Sequence, residues 1–288
     1  MSQLICVVGP TATGKTKKAI ELFSQVPSIL VSADSRQVYR SMDIVTGKDH
    51  PENINLYGID IVDPDQDCSV AIWYDSVMPH IKRAWKEGKQ VIMVGGTGLY
   101  IKAITNGIET MSVPINQSLR DELSLLSITE LQDRLKAIDE KKFSSMNNSD
   151  ANNPRRLIRA IEIITSGIIP SQTIKQIDTQ IIGLKYFDDL PAQAGSNHRS
   201  AIKSRVIDRI NRGAVEETKQ LLTKYDPSLK SMSAIGYKSI ISFIEGQLTK
   251  EQMIETWVGD EMAYAKRQLT WFRKQQVIWY DVDNTQGR

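Results

Sequence analysis

Short apolar runs of strand type recur along the chain, separated by longer stretches of helical pattern. They are Leu4–Val8, Ile29–Val31, Ile59–Val62, Val91–Val94, Ile181–Leu184 and Val277–Tyr280. Strands alternating with helices predict an α/β fold, a mostly parallel sheet with helices on both faces. Such sheets bind ligands beyond the carboxyl ends of their strands, so the polar residues following each run are the ones to inspect. From about Thr110 to Ala151 the pattern changes. Leu119, Leu123, Leu126, Leu131 and Leu135 recur at spacings that suit short amphipathic helices, and the Ser- and Asn-rich stretch Ser144–Asn153 reads as a loop. The expected organisation is a core of residues 1–111 and 151–288 interrupted by a small helical insertion, 112–150, with a hinge near Val113-Pro114. Asn153 and Pro154 then open a further helix as cap and first-turn residue. The last third is helical.

The first run leads directly into Gly9-Pro10-Thr11-Ala12-Thr13-Gly14-Lys15-Thr16. This is the full G-x-x-x-x-G-K-[ST] spacing, placed between a strand and a helix. Its glycines let backbone N–H groups curl around an anion. The helix beginning near Gly14 points its positive dipole end at the same anion. Lys15 adds a mobile point charge, and the Thr16 hydroxyl suits Mg²⁺. A P-loop NTPase-like core that binds phosphate or pyrophosphate is therefore expected. After the second run, Asp34 lies at a strand end within Ser32-Ala33-Asp34-Ser35-Arg36-Gln37-Val38-Tyr39-Arg40. After the fourth comes Gly95-Gly96-Thr97-Gly98-Leu99-Tyr100, a Gly-rich turn with one hydroxyl. Many NTPases end a strand here in an Asp that helps hold Mg²⁺. Gly95 and Gly96 stand there instead, which speaks against an ATPase.

Two basic stretches follow. Arg155, Arg156 and Arg159 share the first turns of the helix opened by Asn153, beside Leu157, Ile158 and Ile161. They form either a solvated face or an anion contact. Further on, Arg205, Arg209 and Arg212 fall on one helix face. Near the end, Tyr264-Ala265-Lys266-Arg267-Gln268-Leu269-Thr270-Trp271-Phe272-Arg273-Lys274 interleaves cations with aromatics. That suits a nucleic-acid surface. It equally suits a core of Leu269, Trp271 and Phe272 with the cations in solvent.

Composition narrows this little. A net charge of +2 excludes a polycation, so any nucleic-acid affinity must come from a local patch. Cys6 and Cys68 are far apart and lack C-x-x-C spacing, which points to a reduced, cytoplasmic compartment. No apolar run approaches a membrane span, and a strand starting at Leu4 leaves no room for a signal peptide.

Gly9–Thr16, Asp34–Arg40 running into Met42-Asp43-Ile44, Gly95–Tyr100, Asn153–Glu162 and Ala265–Arg273 stand in one order across nearly the whole chain, with Ala234-Ile235-Gly236-Tyr237-Lys238 as a sixth block. In these blocks the chain resembles the tRNA dimethylallyltransferase (tRNA isopentenyltransferase) family. Asp-Ser-Arg-Gln-Val-Tyr-Arg after a P-loop is more specific than the P-loop itself. Two segments depart from the family pattern. Tyr57-Gly58 stands where the family has a His pair, and Gly195–Arg205 follows its apolar and arginine positions loosely.

The resemblance implies transfer of a dimethylallyl group from dimethylallyl diphosphate to N6 of an adenosine in tRNA. That adenosine adjoins the anticodon on its 3′ side, in tRNAs reading codons that begin with U, and the product is N6-isopentenyladenosine. Gly9, Pro10, Thr11, Ala12, Thr13, Gly14, Lys15, Thr16 and Arg205 would hold the diphosphate, with Mg²⁺ on Thr16. Asp34 would accept the N6 proton or hydrogen-bond to N6, Thr97 would help hold N6, and Lys15 would stabilise the leaving group. Asp34, Ser35, Arg36, Gln37, Thr97, Arg120, Arg155, Arg156, Leu157, Ile158 and Arg159 would contact the tRNA anticodon stem-loop. The target base must leave its stack to react. A monomer with no protein partner is expected.

Two other readings share the P-loop. A kinase of a small metabolite or nucleoside would use Asp34 to deprotonate a hydroxyl, and incubation with ATP against dimethylallyl diphosphate separates it. A nucleotide-gated RNA-binding module would tolerate loss of Asp34 and Thr97.

Overall fold

The computed structural model describes residues 4–49, 51, 53–169, 177–186 and 197–282. The elements begin with β1 (Leu4–Val8), α1 (Lys15–Phe23), β2 (Ser28–Ser32), β3 (Leu56–Tyr57), α2 (Val70–Lys86), β4 (Gln90–Val94) and α3 (Gly98–Thr105). Then come α4 (Gln117–Ser124), α5 (Ile128–Ser144), α6 (Asn148–Ala151) and α7 (Pro154–Thr165). The chain continues through β5 (Thr179–Lys185), α8 (Asn197–Asn211), α9 (Ala214–Leu222), α10 (Tyr237–Ile244), α11 (Lys250–Phe272) and β6 (Ile278–Asp281).

The strands form one parallel sheet in the order β3-β2-β4-β1-β5-β6. β1 has β4 on one side and β5 on the other, so the winding reverses at β1. The crevice beyond its carboxyl end is where such sheets take their ligands. Successive strand residues face opposite sides. Val7, Leu30 and Ile92 pack with Ala19 of α1 on one face. Cys6, Val31 and Met93, pointing the other way, are buried as well. Burial on both faces explains why these strands are apolar throughout rather than alternating. It also pushes the Cys6 thiol up to about 12, making it a small inert hydrophobe.

The expected strand Ile59–Val62 is displaced. Leu56 and Tyr57 pair with Leu30 and Val31, while Val62 makes an isolated parallel bridge with Tyr39. Between them Gly58 (φ 87) and Asp60 (φ 54) take left-handed backbone, which ends a strand. A Cβ on Gly58 would crowd the Ser32 carbonyl and the Trp73 indole. Its neighbour Tyr57 stacks on His80, ring centroids 4.1 Å apart.

The chain divides into two compact units, Met1–Asn106 with Gln176–Arg288, and Gly107–Lys175. The second is wider than the expected 112–150 at both ends. Leu157, Ala160 and Ile161 of α7 share its core with Leu123 of α4 and with Leu131 and Leu135 of α5, so α7 belongs to it. Arg159 of α7 donates to the carbonyls of Thr110 (2.7 Å) and Val113 (2.9 Å). The expected hinge at Val113-Pro114 is therefore tied into this unit, and the boundary lies at Gly107. Asn153 caps α7 by accepting from the Arg156 N–H, with Pro154 in the first turn, as its sequence predicts.

Candidate active site

β2, β4 and β1 lie side by side, and the segments leaving their carboxyl ends surround one space. A cavity of about 980 Å³ opens there. Thr11, Ala12, Gly14, Lys15 and Thr16 line it from the loop after β1, and Asp34, Arg36 and Gln37 from the segment after β2. Arg205 and Arg209 of α8, Arg212 just beyond that helix, and Glu261, Tyr264, Arg267 and Gln268 of α11 complete much of the wall.

The glycine loop is held from several sides. Gly14 caps α1 in left-handed backbone (φ 79), which leaves the first N–H groups of the helix unobstructed. The Thr11 N–H donates to Gln268 Oε1 at 3.0 Å, and the Thr11 carbonyl lies 2.9 Å from His198 Nε2. Thr13 Oγ1 and Lys15 Nζ both donate to the Pro10 carbonyl, at 2.9 and 2.6 Å. Desolvation, and then the charge of Arg205, push the Lys15 amine down to about 8 against the opposing pull of Asp34, Glu261 and Asp49. Thr16, in the first turn of α1, presents a hydroxyl at the same wall.

Asp34 and Thr97 come together beside this loop. Asp34 Oδ1 accepts the Arg36 N–H at 2.9 Å, an Asx turn that fixes the carboxylate at the cavity wall. Thr97 precedes α3 but makes no side-chain cap. Its Oγ1 instead accepts the Ser35 N–H at 3.0 Å, and the Tyr264 hydroxyl hydrogen-bonds to it. Burial, and then the Asp34 charge, hold the Tyr264 phenol above its ordinary value. Gly96 is required for packing, because a Cβ there would run into the Gln268 amide. Gly98 likewise faces Trp271 of α11, while Gly95 lies against the Ala33 backbone after β2.

The far wall holds Gln37, an expected tRNA contact, and depends besides on Glu217 and Lys48, which sequence reasoning missed. Gln37 accepts from the Ser32 hydroxyl at 2.8 Å and donates to the Gly47 carbonyl at 3.0 Å. Glu217 of α9 accepts three successive backbone N–H groups, Asp43 (2.9 Å), Ile44 (2.6 Å) and Val45 (3.1 Å), and the Tyr237 hydroxyl (2.7 Å). The Lys48 side chain, 0% exposed, is matched by Asp43 at 2.6 Å, Asp60 at 2.5 Å and the Tyr39 carbonyl at 2.5 Å. No local pattern marks Glu217 or Lys48. Tyr237 lies in the Ala234–Lys238 block, which was the available signal.

The α11 stretch meets its core reading only in part, since of Leu269, Trp271 and Phe272 only Phe272 is fully buried. Ala265, Gln268 and Phe272 are buried, Tyr264 and Arg267 line the cavity, and Trp271 is 39% exposed.

The remaining expected RNA contacts lie in the second unit and divide sharply. Glu162, 1% exposed, accepts from Arg120 Nε and Nη2 at 2.8 Å each and from the Asn116 N–H at 2.8 Å, and pairs with Arg159. Burial pushes its carboxyl up, but the bonds from Arg120 and Arg159 outweigh this and hold it below its ordinary value. Arg120 and Arg159 are thus committed to a buried structural network. Leu157 is core, Ile158 is half-buried, and Arg156 pairs with Asp150. Arg155 is exposed and makes no ion pair among the described residues.

A parallel sheet that reverses at β1, with a P-loop in that crevice and a carboxylate and a hydroxyl on the next two strand ends, defines a P-loop α/β protein built to act on a phosphate compound. The family models for IPP transferase and isopentenyl transferase match residues 37–275 and 2–61 respectively. The chain belongs to this family, the tRNA dimethylallyltransferases. A tRNA dimethylallyltransferase of Exiguobacterium sp. is 37% identical over 97% of this chain and 90% of its own length. That of Halalkalibacterium halodurans is 34% identical, over 97% and 91%. The crystal structure of the full-length tRNA isopentenylpyrophosphate transferase of Bacillus halodurans superposes with a TM-score of 0.70 at 34% identity, covering 98% of this chain and 90% of that one. A eukaryotic dimethylallyltransferase described as acting on tRNA gives 0.81 at 25% identity, covering 99% and 75%.

Proposed function

We propose that the protein transfers the dimethylallyl group of dimethylallyl diphosphate to N6 of the adenosine 3′ to the anticodon, in tRNAs that read codons beginning with U. The observation that carries this reading is the gathering of the P-loop, Asp34 and Arg205 around one cavity, with Thr97 held behind its wall by the Ser35 N–H and the cavity-lining Tyr264. A volume of about 980 Å³ is at the upper end for a small-molecule site and has room for a diphosphate and an unstacked base. The P-loop amides, Lys15 and Arg205 bind the diphosphate and take up the charge that grows on it as it departs. Thr97, oriented by Ser35 and Tyr264, holds the amine. Asp34 accepts the N6 proton or aligns the nitrogen lone pair with the carbon. An adenine amine is a weak nucleophile, so positioning supplies much of the rate.

Mg²⁺ fits the Thr16 hydroxyl at this wall. Among the described residues no group of three His, Cys, Asp or Glu side chains gathers into a cage. Thr16 would hold such an ion through its hydroxyl. Bound there it would help neutralise the leaving group. Arg36 and Gln37 at the cavity and Arg155 on the second unit are the residues offered to the anticodon stem-loop. We place the protein in the cytoplasm as a monomer. Two free thiols accord with a reducing compartment.

Mass spectrometry of tRNA nucleosides after incubation with dimethylallyl diphosphate tests the proposal. The expected product is N6-isopentenyladenosine. Phosphoryl transfer from ATP with unmodified tRNA would establish the kinase reading instead.

A further inference from the structure

The wall formed by α8 and α11 carries an arginine that the diphosphate reading leaves unused. Arg209 is 4% exposed yet borders the cavity. Its Nη1 lies 2.9 Å from Glu261 Oε1, in a bridge whose partners are both less than a tenth exposed. Its Nε has no hydrogen-bond partner among the described residues. Arg205 stands one turn earlier on the same helix. A Cβ on Gly47 would collide with Nη2 of both residues, so the two guanidinium groups converge beneath that glycine. Burial, and then Arg205, push Arg209 down to about 10, still cationic at neutral pH. Arg205, Asp34 and Glu261 also act on Lys15.

This is a poor arrangement for a contact that only joins two helices. A buried ion pair gains little over apolar residues of the same volume. An unpartnered buried N–H adds to the cost, and converging guanidinium groups repel. The cavity lining carries seven lysine and arginine side chains against four carboxylates, Asp34, Asp49, Asp208 and Glu261. A multiply charged anion between the arginines would restore the balance and offer an acceptor to the idle Nε–H. The guanidinium fork is shaped to grip phosphate oxygens in pairs.

We infer that Arg209 is a second diphosphate-binding arginine, gripping the diphosphate with Arg205 from α8 while the P-loop holds it from β1, and that Glu261 positions Arg209 for this. The inference rests on the proposed function and is tested apart from turnover. Titration calorimetry with inorganic diphosphate and excess Mg²⁺ is carried out on wild type, on Arg209→Met/Glu261→Gln and on Glu261→Gln. The double variant leaves neither charge buried alone, and its affinity should fall about 10- to 100-fold with little change in thermal unfolding. Glu261→Gln keeps Arg209 and an oxygen for Nη1 while removing a negative charge beside the ligand, and should bind several-fold tighter. If the double variant does not fold, Arg209→Lys, which keeps the charge but loses the fork, decides the matter: it should bind several-fold more weakly if Arg209 grips the diphosphate. Affinity within about twofold of wild type in the folded double variant, or unchanged in Glu261→Gln, would show a plain strut between helices and overturn the inference. If wild type itself fails to bind diphosphate, the diphosphate reading falls and this inference with it.

Discussion

Asp34→Asn separates chemistry from architecture at this site. Among the described residues Asp34 makes one defined hydrogen bond, the 2.9 Å bond from the Arg36 N–H to Oδ1, and an asparagine carbonyl oxygen accepts that bond equally well. The turn should therefore survive, with a stability change within about 0.5 kcal/mol. What is lost is the charge. If the carboxylate takes the N6 proton, the chemical step should slow by about 10²- to 10⁴-fold, or roughly 3–5 kcal/mol of barrier. Removing Asp34 also removes one of the charges that pull the Lys15 pKa upward, so that amine moves further below about 8. Rates are best compared near pH 7, where Lys15 keeps its proton. Affinity for dimethylallyl diphosphate should hold or improve, since an anion beside a diphosphate does not help bind it. The assay is single turnover on saturating tRNA, quenched and read by nucleoside mass spectrometry. Asp34→Ala serves as a control that also breaks the turn, at about 1 kcal/mol. A single-turnover rate for Asp34→Asn within a few-fold of wild type would confine Asp34 to its turn and refute the proton-acceptor role.

Lys15→Ala should lower turnover at least about 100-fold by deleting one preorganised charge, and near-normal turnover would refute the P-loop assignment. Because the Lys15 amine sits near 8, diphosphate affinity of the free protein should fall as pH rises from about 7 to 9. Lys15→Arg should flatten that profile, which calorimetry at several pH values checks. Glu217→Ala strips the acceptor from three backbone N–H groups and the Tyr237 hydroxyl, and should destabilise the fold by about 2–4 kcal/mol in urea unfolding, with Glu217→Gln milder. Arg155→Gln should weaken tRNA binding and reduce its salt slope by about one. Arg159→Gln should act through stability, and a stable Arg159→Gln with a reduced slope would contradict the Glu162 network.

The amino-acid sequence by itself determined what is local. The P-loop is a strand, a glycine turn and a helix start within a dozen residues, and each of its requirements is written in adjacent positions. The succession of apolar runs determined a parallel sheet. With the order of the blocks, it placed Asp34 and Thr97 on strands that end at the same edge. The existence of a helical insertion showed in its change of period. Its limits did not, because α7 is assigned by what Leu157 and Ile161 pack against, and that face looks the same in either unit. Only the tertiary structure decided the fate of the charges. Arg155, Arg156 and Arg159 read as either a solvated face or an anion contact, and the family resemblance implied Arg120 as a tRNA contact. Arg120 and Arg159 instead close on Glu162, and that depends on a carboxylate 42 positions from Arg120. Lys48 is buried because Asp60 and Asp43 meet it, and Glu217 holds backbone 172 to 174 residues away. A side chain's charge is written in the sequence, but whether it faces water, an ion or another side chain is set by partners that only folding brings within reach.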